Sequence, residues 1–325
     1  MKPFEKDGLR ITPITLPTPF PVGDVLIYLV QFDGAAWMVD AGTDGDASWE
    51  AAREGMASAG LRPDDLQVVL LTHGHVDHVG LVGRMTDASG AEVRAHESVL
   101  RVQANREAAN EASRAFASRI MAACGVPDDQ AGPALEACET YRPMADMSSV
   151  ARPVRDGERL GPFRACHAPG HSGGDMLYVD ERRGVAFVGD HLLRRVHPNP
   201  MIRRPAPGAP RPASLVEYRA SLRKTRELPV EVCFAGHGPP ITEPREEIDR
   251  VLMRQDRRAA QVRKMLEDRG TMTPYELTAA MFQNLTPDKL YLALSVALGY
   301  LELIESWGWA GCETDDDGRM RFVRR

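Results

Sequence analysis

Over the first hundred residues, short apolar runs alternate with stretches whose apolar positions recur at helical spacing. Val25–Val30 and Trp37–Val39 read as strands, the second running into Asp40-Ala41-Gly42-Thr43. Ala47–Ala59 has a helical pattern, with Gly60 placed as its C-cap. Val68–Leu71 is wholly apolar, as a strand buried on both faces is, and leads straight into Thr72-His73-Gly74-His75. Val79–Met85 reads as a short helix and Ala91–Ala95 as a strand. Strands alternating with helices specify an α/β layer fold.

The texture changes at Ser98. To about Tyr141 the chain is rich in Ala, Glu, Arg and Gln and nearly free of β-branched residues, which predicts a long helix to Met121, a break at Gly125–Pro127 and a second helix. Strands resume at Phe163–Cys166, Met176–Val179 and Val185–Val188. The helical stretch, residues 97–142, is therefore an insertion, either a cover for a site or a surface decoration. Arg194–Pro212 holds six prolines and five arginines and has to be a loop, because proline removes backbone donors. A helix (Leu215–Glu227), a strand (Val230–Ala235) and the turn Gly236-His237-Gly238 follow.

A second domain, residues 244–325, succeeds a first of residues 1–243. Arg245–Asp268 is a long charged helix. Thr273-Pro274-Tyr275-Glu276 is a helix start with proline at the first position and a carboxylate at the third. Leu290–Ser306 has an apolar helical face. Trp307–Ala310 and Met320–Val323 predict a hairpin around the acidic turn Thr314–Gly318. Helices followed by a hairpin suggest a winged helix, an architecture of DNA readers. Charge points away from that use: from Arg245 onward there are 13 Lys and Arg against 14 Asp and Glu, and Asp315, Asp316 and Asp317 occupy the tip. A packing or dimerisation role fits better, with Leu290–Leu303 as a face for a homodimer.

Composition narrows the class. With 43% hydrophobic and 26% charged residues among 325, the chain can build ordinary cores, and global disorder is excluded. A net charge of −6 argues against general affinity for nucleic acid or anionic membrane. No apolar window of membrane-spanning length occurs, and the first residues lack a signal-peptide core. Five scattered cysteines, Cys124, Cys138, Cys166, Cys233 and Cys312, without a C-x-x-C, predict reduced thiols and a cytoplasmic protein.

The chemistry concentrates in His73-Gly74-His75-Val76-Asp77-His78, directly after a buried strand. Three imidazoles and a carboxylate in six residues are costly in a folded interior without a partner, and a divalent cation is the natural one. One ion taking both His73 and His75 requires a turn, since a helix puts i and i+2 on different faces; a second ion could take Asp77 and His78. Further ligands have to come from other strand ends, where His171, Asp190 and His237 stand.

Thr72-His73-Gly74-His75-Val76-Asp77-His78-Val79-Gly80 resembles the signature of the metallo-β-lactamase superfamily, with motifs of the glyoxalase II type. Gly170-His171-Ser172, Val188-Gly189-Asp190, Gly236-His237-Gly238 and the early Asp40-Ala41-Gly42-Thr43 turn are similar to its other motifs, in the same order, over residues 10–242. The resemblance implies a four-layer αβ/βα sandwich. It implies His73, His75 and His171 on one metal, Asp77, His78 and His237 on another, and Asp190 bridging. Asp77 within the cluster suggests a hydrolase rather than a flavodiiron redox site, and the C-terminal part resembles the winged-helix extension of some of these hydrolases. Zinc is the default, with iron and manganese also compatible with nitrogen and oxygen ligands.

Two such metals would share a bridging hydroxide for attack on a small-molecule ester, thioester or lactone, with Asp77 orienting it. A ribonuclease or phosphodiesterase and a non-catalytic metal-binding regulator are the alternatives; the acidic charge opposes the first and the complete ligand set the second. Ser172 reads as a turn residue rather than a nucleophile. His191 could hydrogen-bond a ligand and His197 could face substrate. Arg194, with Arg195, Arg203, Arg204 and Arg211, could meet an anionic leaving group or form a solvated basic loop. His96 reads as a surface residue and His167 as a satisfied core histidine.

Overall fold

Three antiparallel strands open the chain, β1 (Phe4–Lys6), β2 (Leu9–Leu16) and β3 (Val25–Phe32). Then come β4 (Ala35–Val39), α1 (Asp46–Ser58), β5 (Val68–Leu70), α2 (Val76–Val79), α3 (Val82–Ser89), β6 (Glu92–His96) and α4 (Glu97–Ala104). Helices α5 (Arg106–Ala123) and α6 (Asp128–Glu139) precede β7 (Ala151–Val154), β8 (Arg159–Leu160), β9 (Phe163–His167), β10 (Met176–Asp180) and β11 (Val185–Gly189). The remainder is α7 (Ser214–Arg226), β12 (Val232–Ala235), α8 (Pro244–Arg269), β13 (Thr271–Met272), α9 (Pro274–Met281), α10 (Pro287–Ser306), β14 (Ala310–Thr314) and β15 (Met320–Arg324). This computed structural model describes residues 1–104, 106–139, 151–194, 198–206 and 208–325.

The described elements group into two units. The first comprises Met1–Asn105, Tyr141–Pro198 and Lys224–Glu247. It holds a seven-stranded sheet in the order β1 to β7, parallel from β4 onward, and a five-stranded sheet β12-β11-β10-β9-β8. Between them lies a core built from alternate residues of both, including Tyr28, Val30 and Leu70 from one sheet and Phe163, Tyr178 and Phe187 from the other. The opposite face of the seven-stranded sheet packs on Ala52 and Met56 of α1, Val79 of α2, Val82 and Met85 of α3 and Val99 of α4. β3 is buried at six successive positions, Val25–Val30, because both faces are covered.

Two tyrosines tie the sheets together reciprocally. The Tyr28 hydroxyl, from the larger sheet, donates to the Ala235 carbonyl at the end of β12, at 2.5 Å. The Tyr178 hydroxyl, from the smaller sheet, donates to the Leu71 carbonyl just past β5, at 2.8 Å. Burial, then the neighbouring Asp40, raise both phenols above their ordinary pKa, so both stay donors.

The second unit comprises Arg106–Thr140, Asn199–Arg223 and Ile248–Arg325. In it α10 packs on α6 and α9, and β13-β15-β14 form a three-stranded sheet. Thr273 caps α9 in a reciprocal capping box with Glu276, as its sequence predicts. A hairpin forms, its first strand beginning only at Ala310, the last residue of the expected Trp307–Ala310, and it gains β13 as a third strand. Of the helical stretch, α4 covers the core of the first unit, while α5 and α6 belong to the second. Among the described residues, no helix is long and apolar enough to cross a membrane.

Helix α2 is clasped by the turn after β4. Ala41 N–H donates to the His78 carbonyl at 2.8 Å, Gly80 N–H to the Gly42 carbonyl at 2.7 Å and Leu81 N–H to the Ala41 carbonyl at 3.2 Å. Only glycine fits at Gly80, because a Cβ there would stand 2.1 Å from the Asp44 nitrogen. Gly80→Ala should therefore cost about 1–3 kcal/mol through overpacking, read as a lower urea midpoint at unchanged m-value. Gly132→Ala in α6, where a Cβ meets nothing within 4 Å, should be neutral or stabilising.

Candidate metal centre

The strand ends bring seven predicted residues into one buried cluster. His73 and His75 lie on the turn after β5, and Asp77 and His78 on the single turn of α2. His171 stands on the loop between β9 and β10, Asp190 directly after β11 and His237 after β12. Their ligand atoms fall into three overlapping groups, His73/His75/His171, His73/His78/Asp190 and Asp77/His78/His237, within each of which all atoms lie within 4.8 Å of one another.

In the first group, His75 Nδ1 is 3.0 Å from His73 Nε2 and 2.9 Å from His171 Nε2. In the last, His237 Nε2 is 3.4 Å from Asp77 Oδ2. Asp190 lies between them: Oδ2 is 3.7 Å from both His171 Nε2 and His237 Nε2, and Oδ1 is 3.5 Å from His78 Nε2.

The hydrogen-bond network behind the cluster sets which ring nitrogen faces inward. The Asp40 carboxylate accepts from Thr72 N–H (2.7 Å), the Thr72 hydroxyl (2.8 Å) and His78 Nδ1–H (2.8 Å). Since the Thr72 hydroxyl donates to Asp40, it accepts from His73 Nδ1–H at 3.1 Å. His237 Nδ1–H donates to the Asp24 carbonyl at 2.8 Å. The Nε2 atoms of His73, His78 and His237 are thereby turned toward the centre. Asp40 is held at φ +61°, a left-handed conformation that Asp tolerates, and its own N–H donates to the Leu70 carbonyl. The His171 loop is closed by Asp175, which accepts from Ser172 N–H at 2.7 Å and its hydroxyl at 2.5 Å. Ser172 is thus engaged in a turn, as expected.

Divalent cations fit this donor set. His78 Nε2, His237 Nε2 and Asp190 Oδ1 are buried and have no hydrogen-bond partner, although such atoms are costly to leave alone. Burial and the neighbouring imidazoles lower His73, and burial followed by His171 brings His75 down to about 4, so both rings are neutral near pH 7, the form in which an imidazole can bind a metal. For the carboxylates, burial pushes upward but is outweighed by the histidines: Asp77 is held at about 2, chiefly by His78 and His237, and Asp190 is also lowered, chiefly by His78. His78 and His237 are raised despite burial, the first by Asp40 and Asp190, the second by Asp77 and Asp190. Gly236 makes room for the centre, since a Cβ there would stand 2.5 Å from both Asp190 Oδ1 and His78 Cε1.

The other sequence-selected residues are placed differently. Buried His191 bonds Thr225 Oγ1 through Nε2 at 2.9 Å, and its pKa is pushed down to about 3 by burial and then by His171. Arg194 is exposed, and Arg195 and His197 lie outside the described residues. Arg203 pairs with Glu217 and Arg211 with Glu302. His96 is half-buried rather than a surface residue, stacking on half-buried His167 with ring centroids 4.3 Å apart. His167 Nε2–H donates to the Gly173 carbonyl at 3.1 Å. Asp175 and the bracing role of Asp40 escaped the sequence reading. Ser172-x-x-Asp175 spacing at a strand start was the available signal for the first; the second needed the fold.

Comparison with known proteins agrees with this fold. Residues 20–237 match the model of the metallo-beta-lactamase superfamily. The Bacillus subtilis protein called "Probable metallo-hydrolase YqjP" is 30% identical over 90% of this chain and 91% of its own. An atrochrysone carboxyl ACP thioesterase of Aspergillus fumigatus is 23% identical over 80% of this chain and 69% of its own. A metallo-beta-lactamase family protein from Thermus thermophilus superposes with a TM-score of 0.80 at 29% identity, over 98% of this chain and 99% of that one. A beta-lactamase domain protein from Burkholderia ambifaria shares the fold at a TM-score of 0.81 and 23% identity, over 99% and 94% of the two chains.

Asp40→Ala should weaken metal retention about 10–100-fold by freeing the His73 and His78 rings, measured by chelator competition on protein whose circular dichroism is unchanged. Retention should also fall on acidification: His78 and His237 hold protons above their ordinary pKa, and each proton must leave for the ring to become a ligand. Metal content followed by mass spectrometry across pH 5 to 8 checks the sign.

Proposed function

The chain belongs to the metallo-beta-lactamase superfamily, and from that premise we propose that it hydrolyses a carboxylic ester, thioester or lactone with two divalent cations. The observation that carries the reading is the Asp190 carboxylate, set between His171 on one side and His78 and His237 on the other. His73, His75 and His171 would hold one cation, Asp77, His78 and His237 the other, and Asp190 would be shared. When bound, such a pair supplies Lewis acidity and makes hydroxide available near neutral pH. Nitrogen and oxygen donors fit zinc first, with iron and manganese compatible.

The chain's own contribution is orientation and charge. Asp77, kept ionised, would accept a hydrogen bond from the attacking water and aim its lone pair at the acyl carbon. Burial of the centre strengthens each of these interactions by excluding water. The thioesterase relative supports an acyl substrate over a phosphodiester. So does the order α8, β13, α9, α10, β14, β15, which we read as winged-helix-like with an acidic tip: exposed Asp316 and Asp317 would repel a nucleic-acid backbone. Buried Cys124, Cys166 and Cys233, none of them in a disulfide, fit a reducing, cytoplasmic setting.

The test joins metal analysis with a panel of esters, thioesters, lactones and phosphodiesters. Turnover is expected on an acyl substrate, with two metals per chain. Asp190→Ala should keep its circular dichroism and lose nearly all turnover; full activity in that variant would overturn the two-metal reading.

A further inference from the structure

A hollow of about 350 Å³ adjoins the candidate centre on the His237 side. Leu26 and Leu193, both buried, line it together with half-buried Val22 and exposed Met1. Two features tie it to the centre. His237 lines the hollow and is also a member of the Asp77/His78/His237 group. Leu193 stands three residues beyond Asp190, so the segment carrying the shared carboxylate also lines this hollow.

Its lining contains no lysine or arginine, and its one acidic side chain, Asp24, is exposed. An anionic group would meet that carboxylate, and the one basic side chain in this lining, His237, is already turned to the Asp24 carbonyl and to Asp77. Two of the loop arginines that could have bound an anion, Arg203 and Arg211, are paired with Glu217 and Glu302. A volume near the lower end of small-molecule sites, about 300–1,000 Å³, suits a short hydrocarbon chain or a single ring. Resting on the hydrolase reading above, we propose that this hollow binds an uncharged hydrocarbon group of the substrate beside the scissile bond and makes Val22 and Leu193 specificity-determining residues.

Two ester series test it, one lengthening the acyl chain from acetyl to decanoyl on a constant leaving group, the other lengthening the alcohol on a constant acetyl group. In one series kcat/KM should rise about four-fold per added methylene, the gain expected from burying a CH₂, and level off once the hollow is full. Val22→Trp, on the loop between β2 and β3, should lower kcat/KM for the longest productive ester at least ten-fold more than for acetate. Octanamide, an uncharged probe that needs no turnover, should bind the wild type in calorimetric titration and not Val22→Trp.

Turnover with no dependence on length in either series, and no octanamide binding, would overturn the hollow's role and leave the hydrolase reading standing. Octanamide binding lost in Val22→Trp, with no ester, thioester or lactone hydrolysed, would uphold the hollow and overturn the hydrolase reading. Equal losses on long and short esters in Val22→Trp would also count against a hydrocarbon site.

Discussion

Everything at the centre depends on keeping lone pairs of like character close together inside the protein. Nitrogens about 3 Å apart, next to largely buried carboxylates, stay together only where a shared proton or a cation lies among them. The chain prepares for that charge from behind. Asp40 receives three hydrogen bonds and fixes His78 directly and His73 through Thr72, so two ring orientations and one backbone turn share a single anchor. The same turn clasps α2 from the other side. The early Asp-x-Gly element, remote in sequence from every member of the cluster but adjacent in space, is thus the foundation on which the histidines are mounted.

Much of the cluster was legible in the sequence because its candidate ligands are written compactly. His73 to His78 announce a centre by composition alone, and His171, Asp190 and His237 each follow an apolar run next to glycine, the mark of a strand end. What sequence could not reveal was how the supporting groups meet. β2 escaped notice because Pro13 interrupts an alternation that buried Leu9, Ile11, Ile14 and Leu16 otherwise display. The Val79–Met85 helix resolved into α2 and α3, since Gly80 and Leu81 bond to the Asp40 turn rather than continue one helical ladder. The pairing of His96 with His167 joins strands of different sheets, a contact that no local pattern encodes.

The second unit shows how charge can be informative without marking a site. Arginines that look available for an anion in the sequence are consumed by carboxylates in the fold, and Arg219 and Arg263 lie over Trp307 and Trp309 at 5.4 and 4.7 Å from the ring centroids. Such pairs brace helices to the hairpin, with the guanidinium serving packing as much as charge.

The two reciprocal tyrosines carry a consequence for metal exchange. Each phenol spans the interior and grips a carbonyl at the end of a strand in the facing sheet that leads to a histidine of the cluster. The spacing between the strand ends that lead to His237 and to His73 is therefore gauged by rigid aromatic rulers embedded in the core, a mould that would keep its shape whether or not a cation occupied it.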